Sequence, residues 1–295
     1  MTVAAQAAPR GTATRRSVRA RRKVVDRAME LLFVAAAAIA AGILLIILGF
    51  VLVRGLPALN LAFFTERPRP FGAEGGGVAP AIVGTLILSA IAGAVAVPTG
   101  IAAAIFVTEF RTGRWAPLVR FAAELIAGLP SIAVGVFVWS LLVRGIMGSY
   151  SALAGGVALA VIMIPIVART TEEVLRLVPG SLREAALALG APRWRVVLRA
   201  VLPTARAGVV TAAVLGLARA AGETAPLILT ALGNLFFSTD VTKPIAALPL
   251  QIYQYAASPY DDWHTKAWGA SLILVAVIAL VSLALRLATR KDAAS

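Results

Sequence analysis

Between Leu31 and Val53 the chain runs for 23 residues without a charged or amide side chain. A hydrocarbon core about 30 Å thick takes roughly 20 such residues to cross as a helix. Inside lipid, only a helix or a closed barrel satisfies its own backbone. Further apolar stretches follow at about Pro80–Val107, Leu118–Val143, Ser151–Ala168, Ala207–Leu232 and Ala267–Leu285. Six such stretches predict an all-α, polytopic membrane protein. Sixty per cent hydrophobic residues over 295 positions, with a mean hydropathy of +0.88, exclude an ordinary soluble domain. The first run also exceeds the apolar core of a cleaved signal peptide, about 7 to 15 residues, and reads as an uncleaved signal-anchor.

Net charge is +14, from 28 Lys and Arg against 14 Asp and Glu. In a soluble protein that balance points to nucleic acid; in a membrane protein it orients the chain. With the N-terminus inside, 21 of the 28 cations fall on inner segments and six on outer loops, and only Arg219 lies within a span. The expectation is a multi-pass protein of the bacterial cytoplasmic membrane with both termini in the cytoplasm. Residues 1–30, with eight cations, are expected to be a disordered tail suited to anionic lipid. They interleave no aromatic residue for base stacking, so no nucleic-acid partner is expected. Residues 54–79 form an extracytoplasmic loop, and residues 286–295 a short cytoplasmic tail.

Several chemistries are excluded. There is no cysteine and a single histidine, His264, so no thiolate nucleophile, disulfide or Cys/His metal cluster can be built. The glycines of PRPFGAEGGG (68–77) lack the GK[ST] ending of a nucleotide-binding loop, which occurs nowhere in the chain. Paired acids in adjacent spans and Ser/His pairs are also lacking. An intramembrane enzyme is therefore disfavoured.

Ser181–Pro203, SLREAALALGAPRWRVVLRAVLP, reads as a basic helical hairpin on the inner side. Ser181 and Glu184 have the spacing of a capping box. Leu182, Ala185, Ala186 and Leu189 recur on one helical face. Gly190 supplies a left-handed stop, Pro192 suits the first turn of a second helix, and Leu202-Pro203 ends it. A shallow apolar knuckle of this kind fits another protein's groove; the residues alone equally allow a well-capped solvated loop.

Arg219 lies about 18 Å along a helix from Ala207, near the middle of a span, and Glu223 follows one helical turn later. A charge at that depth costs roughly 2.5 to 3.5 kcal/mol and must face the bundle or water. The pair either packs two helices as a neutral unit or draws an anion part-way across, a guanidinium being matched to phosphate oxygens. Arg169, at the inner end of the fourth span, is a second candidate or a simple positive-inside anchor. Pro98-Thr99-Gly100 predicts a kink buried in the bundle. Gly128, Pro130, Ser131 and Gly135 predict close helix approach with local unwinding in the third span. Tyr253, Tyr255, Tyr260, Trp263 and Trp268 suit an interfacial aromatic belt.

EAALALGAP followed by LP resembles the EAA loop of ABC importer permeases. ARAAGETAPLILTALG, IPIVARTTEEVLRLVPGSLREAALALGA, GLPSIAVGVFVW, AIFVTEF and LPLQIYQYAASP together resemble the PstA family, permease subunits of phosphate ABC importers, over residues 63–285. The PstC family shares the EAA loop and GET, but Ala225-Pro226-Leu227 and the LPLQIY loop favour PstA. The resemblance implies a type I importer fold, six membrane helices and a cytoplasmic coupling hairpin. Its implied partners are a sister permease PstC, two copies of the ATPase PstB, and the binding protein PstS outside. ATP and Mg would bind the partner ATPase and no cofactor this chain, which is itself no enzyme. Inorganic phosphate is the implied cargo. Arg169, Arg219 and Glu223 fall on the family's pathway positions, and Glu184, Ala185, Ala186 and Gly190 on its ATPase-coupling positions.

Overall fold

The computed structural model describes residues 12–70, 73, 75–110 and 115–291. Residues 1–53 form one unit and residues 54–295 a second. The first unit is helical: α1 (Thr12–Gly55) runs from the basic segment into the first apolar stretch without a break. The expectation of disorder over residues 1–30 is therefore corrected from Thr12 onward, where Ala and Arg are good helix formers and no glycine or proline interrupts. Residues 1–11 lie outside the described residues.

In the second unit, a single 3-10 turn (Leu56–Ala58) and the short α2 (Leu61–Thr65) follow, α2 being capped by Asn60 Oδ1 accepting from Phe63 N at 2.8 Å. Then come α3 (Ala79–Glu109), α4 (Trp115–Gly128) and α5 (Ser131–Val138), the last continued by π-helical turns over Trp139–Met147. α6 (Ala152–Leu177), α7 (Gly180–Ala188), α8 (Arg193–Val196), α9 (Leu202–Ala221), α10 (Ala225–Thr230), α11 (Leu248–Ala256) and α12 (Asp261–Lys291) complete the described chain. Among the described residues, five helices are long and apolar enough to cross a membrane: Val25–Ala58, Ala79–Glu109, Ala152–Leu177, Arg193–Ala221 and Asp261–Leu285. The pair α4–α5, bent by 104°, is long and apolar enough for a sixth crossing if it counts as one broken span. The third stretch, Leu118–Val143, is thus two helices. Leu129-Pro130 makes the corner because proline cannot continue the helix, and Pro130 becomes the N-cap of α5.

The core lies where α3, α6, α9 and α10 meet, built on Leu88, Ala92, Leu159, Met163, Val167, Ala220 and Leu227. Small residues bring these helices close, as expected where lipid supplies no hydrophobic drive between them. A Cβ on Gly156 would stand 2.6 Å from Ile91 Cβ, and one on Gly216 would stand 2.8 Å from Met163 Cγ. Pro98 sits inside a continuous α3 with its ring exposed, not in a buried kink. Thr99 Oγ1 donates to Val95 O at 2.6 Å, while the neighbouring Gly100 is buried against Val167.

The segments around α2 and α11 close over a second cluster containing Phe63, Val78, Leu248, Tyr255 and Trp263. Tyr255 and Trp263 are buried there, stacked edge-on at 4.8 Å, so they do not join an aromatic belt; Tyr253 and Tyr260 remain exposed. Burial, with Asp262 nearby, pushes the Tyr255 hydroxyl up to about 12.

Candidate functional site

The fifth apolar stretch is interrupted. α9 ends at Gly222, and α10 starts after Thr224 with Pro226 in its first turn. Glu223 therefore stands in a break, and Arg219 in the last turn of α9, where a cation suits the negative end of the helix. The guanidinium Nη1 lies 2.5 Å from Glu223 Oε1. That oxygen is buried with no hydrogen bond aligned on it among the described residues, so the pair is held by charge rather than by a well-directed bond. The burial is lopsided: the Glu223 side chain is 7% exposed and that of Arg219 62%. The carboxylate sits in the protein, while the guanidinium opens onto the chain's surface.

Depth follows from packing. Gly216 contacts Met163 and Val167, in the middle of the 26-residue α6. Arg219 is one turn further on, about 5 Å past that level toward α10. Arg169 is on α6, roughly 10 Å from Arg219 along the axis toward the α7 end, and pairs with Glu124 of α4 at 2.8 Å with both side chains about half exposed. The structure keeps Arg169 apart from the Arg219–Glu223 pair. A second ion cluster lies nearer the C-terminal end of α6: Arg120 and Arg176 share Glu172 at 2.6 and 2.5 Å. The Glu172–Arg176 spacing was readable as one helical turn, whereas Arg120 lies 52 residues from Glu172 in sequence and was missed.

The α7–α8 hairpin departs from its expected local chemistry. Pro179 is the N-cap of α7 and no side chain caps it, so Ser181 and Glu184 form no capping box. Gly190 does stop the first arm, at φ +79°. Pro192 is the N-cap of α8, outside the first turn. The second arm does not end at Leu202-Pro203. It passes through a π-helical turn (Val197–Val201) directly into α9, with Pro203 in the first turn of that helix. A proline is tolerated in the first turn of a helix, where its missing N–H costs least.

Val196 and Val201 face inward with Leu182 and Ala186 against Ala104 and Leu175. Glu184, Ala185 and Gly190 are exposed on the outside of the hairpin, and Ala186 is half-buried beneath them. Leu189, 89% exposed, Leu187, Trp194 and Leu198 make the same surface apolar, and the Arg195 guanidinium lies over the Trp194 ring at 5.3 Å.

Comparison with known proteins agrees with this geometry. Residues 96–291 match the family model described as "Binding-protein-dependent transport system inner membrane component". The phosphate transport system permease protein PstA of Xylella fastidiosa (strain Temecula1) is 43% identical over 235 residues, spanning 79% of this chain and 81% of that protein. The corresponding protein of Yersinia pestis is 43% identical over 234 residues, 79% of each chain. PstA 1 of Mycobacterium tuberculosis (strain H37Rv) is 40% identical over 210 residues, 71% of this chain and 68% of that protein. Among solved structures, an inward-facing MetNI methionine ABC transporter superposes with a TM-score of 0.61 at 23% identity, over 72% of this chain and 94% of that chain. This likeness shows the fold, a type I importer permease. On the family model and these relatives, the chain belongs to the PstA family of binding-protein-dependent permeases.

Proposed function

We propose that this chain carries inorganic phosphate inward as one permease half of an ATP-driven importer. The sister half is a PstC-type permease, two PstB-type ATPases bind ATP and Mg on the cytoplasmic side, and a PstS-type protein delivers phosphate outside. The observation that carries the reading is the Arg219–Glu223 pair at a helix break, one turn from the level of the α6 midpoint. Arg219 turns planar donors toward open space at a depth where a charge is costly, and a guanidinium takes two phosphate oxygens at once and stays charged at any working pH. Glu223 neutralises it when no anion is there. The poor alignment of their contact leaves the guanidinium ready to exchange the carboxylate for a passing anion. Arg169, paired with Glu124 about 10 Å further in, is the next cation on the route.

Broken helices around a mid-membrane site are the parts from which alternating access is built. ATP-driven closure of the ATPases pushes the exposed surface of Glu184, Ala185, Ala186 and Gly190. Because the second arm continues into α9, that push reaches the helix carrying Arg219. The cation distribution supports a cytoplasmic membrane location with the hairpin and both termini inside. The test is phosphate uptake by the complete complex in proteoliposomes, with sulfate and molybdate as competitors. The reading expects uptake that neither anion blocks and that Arg219→Gln abolishes in an assembled complex. Equal competition by sulfate would move the assignment to another tetrahedral oxyanion.

A further inference from the structure

The two arms of the hairpin are tied to the bundle differently. The second is continuous with α9, whereas the first, α7, hangs from α6 by Val178-Pro179 alone along the backbone. A load on the exposed apolar surface would reach α9 and leave α3 and α6 behind unless something else ties α7 to them. Leu182 and Ala186 pack against Ala104 and Leu175 without direction, and one side chain adds a directed tie. Arg183 is turned inward from α7, and its Nε lies 3.1 Å from each carboxylate oxygen of Glu109, with Nη2 at 2.7 Å from Oε1. The same guanidinium donates to Val178 O at 2.6 Å through Nη1 and to Leu175 O at 2.8 Å through Nη2. Glu109 is the last residue of α3, and Leu175 and Val178 hold end carbonyls of α6.

Three helix ends thus meet on one planar cation, shielded with only a quarter of the Arg183 side chain and a tenth of the Glu109 side chain exposed. Helix-end carbonyls lack partners along their own helix, and a cation there is favoured by the helix dipole as well. The fork of Arg reaches carboxylate and carbonyls together, whereas the point charge of Lys satisfies only part of that set. Arg183 is 74 residues from Glu109 in sequence, so the bond closes the hairpin onto a distant helix.

We propose that Arg183 and Glu109 form the clamp through which the coupling hairpin drives α3 and α6 together with α9. Arg183 is then a positioning residue of the transport cycle. This rests on the reading of the hairpin as the ATPase docking surface. α3 and α6 share the core with α9, where Gly216 packs on Met163 and Val167 next to the Arg219 level. Moving all three as one body opens or closes that seam; moving α9 alone shears it.

The test uses the whole complex in proteoliposomes and reads phosphate moved per ATP hydrolysed, a ratio that a merely stabilising bond leaves unchanged in the molecules that assemble. Arg183→Lys and Glu109→Gln are each expected to lower the ratio about five-fold or more, the range of ordinary coupling between sites. As a control on folding, Glu109→Cys with Arg183→Cys is made in this cysteine-free chain, with accessible partner cysteines removed. A short bis-maleimide bridging the two thiols should restore the ratio in the same preparation, and a mono-maleimide should not. An unchanged ratio in Glu109→Gln, or no recovery on bridging, overturns the clamp. Glu184→Lys run alongside separates the two ideas. If it uncouples while the clamp variants do not, only the clamp fails; if it leaves the ratio intact, the docking surface itself is wrong.

Discussion

Replacing the two members of the intramembrane pair should have unequal consequences, because the structure buries them unequally. In Arg219→Gln, the Glu223 carboxylate, 7% exposed, keeps its charge and loses its counter-charge. Breaking a buried pair from that side costs about 3 to 5 kcal/mol. In Glu223→Gln, the remaining guanidinium is 62% exposed and can be solvated by water in the pathway. The loss is then closer to that of an exposed pair, about 1 kcal/mol or less. The double variant Arg219→Gln with Glu223→Gln leaves neither charge and should assemble nearly as well as the parent. Complex recovered from membranes and its thermal midpoint measure assembly, and phosphate uptake measures transport. Assembly should fall in the order parent, double variant and Glu223→Gln close together, then Arg219→Gln. Uptake should be lost in both variants lacking Arg219. A double variant that assembles and still transports phosphate would refute the argument, for the pair would then be packing alone. Equal losses of assembly in the two single variants would refute the lopsided burial on which the magnitudes rest.

Three further outcomes are expected. Gly156→Val places atoms where Ile91 already stands, and overpacking of that kind costs about 1 to 3 kcal/mol; the purified complex should melt earlier, and an unchanged midpoint would mean the α3–α6 seam yields. Glu184→Lys should leave the subunit in the membrane while ATP hydrolysis no longer drives uptake, read by comparing both rates in one preparation; normal uptake would remove the hairpin's role. Tyr255 is held up to about 12 by burial, above its unfolded value of 10, so it binds its proton more tightly in the folded state. Its contribution is complete below pH 10 and is lost as pH rises toward 12. Tyr255→Phe should flatten that part of the melting profile, and an identical profile would count against the burial of the hydroxyl.

The apolar runs made the membrane helices legible, since nothing but a helix can cross lipid with such sequences. Gly190 was readable as a left-handed stop, and Arg219 with Glu223 as neighbours one turn apart, because both depend on local spacing. What escaped the sequence depended on competition between local signals or on distance along the chain. Hydropathy cannot see a 104° corner, so Leu118–Val143 read as one span although Pro130 marked the place. Ser181 lost the N-cap to Pro179, whose fixed backbone starts the helix two residues earlier. Pro203 looked like an end because a π turn before it, invisible in composition, leads into α9 with the proline in its first turn. Arg183–Glu109 and Arg120–Glu172 join residues 74 and 52 apart, and only the packed helices bring them together.

The central claim is most directly tested by phosphate uptake in phosphate-starved cells lacking only this gene, in a strain without a second phosphate importer, with sulfate and molybdate uptake measured alongside. The account predicts that high-affinity phosphate uptake alone is lost, and that the native gene restores it while the Arg219→Gln gene does not. Unchanged phosphate uptake, or loss of sulfate or molybdate uptake in its place, would contradict it.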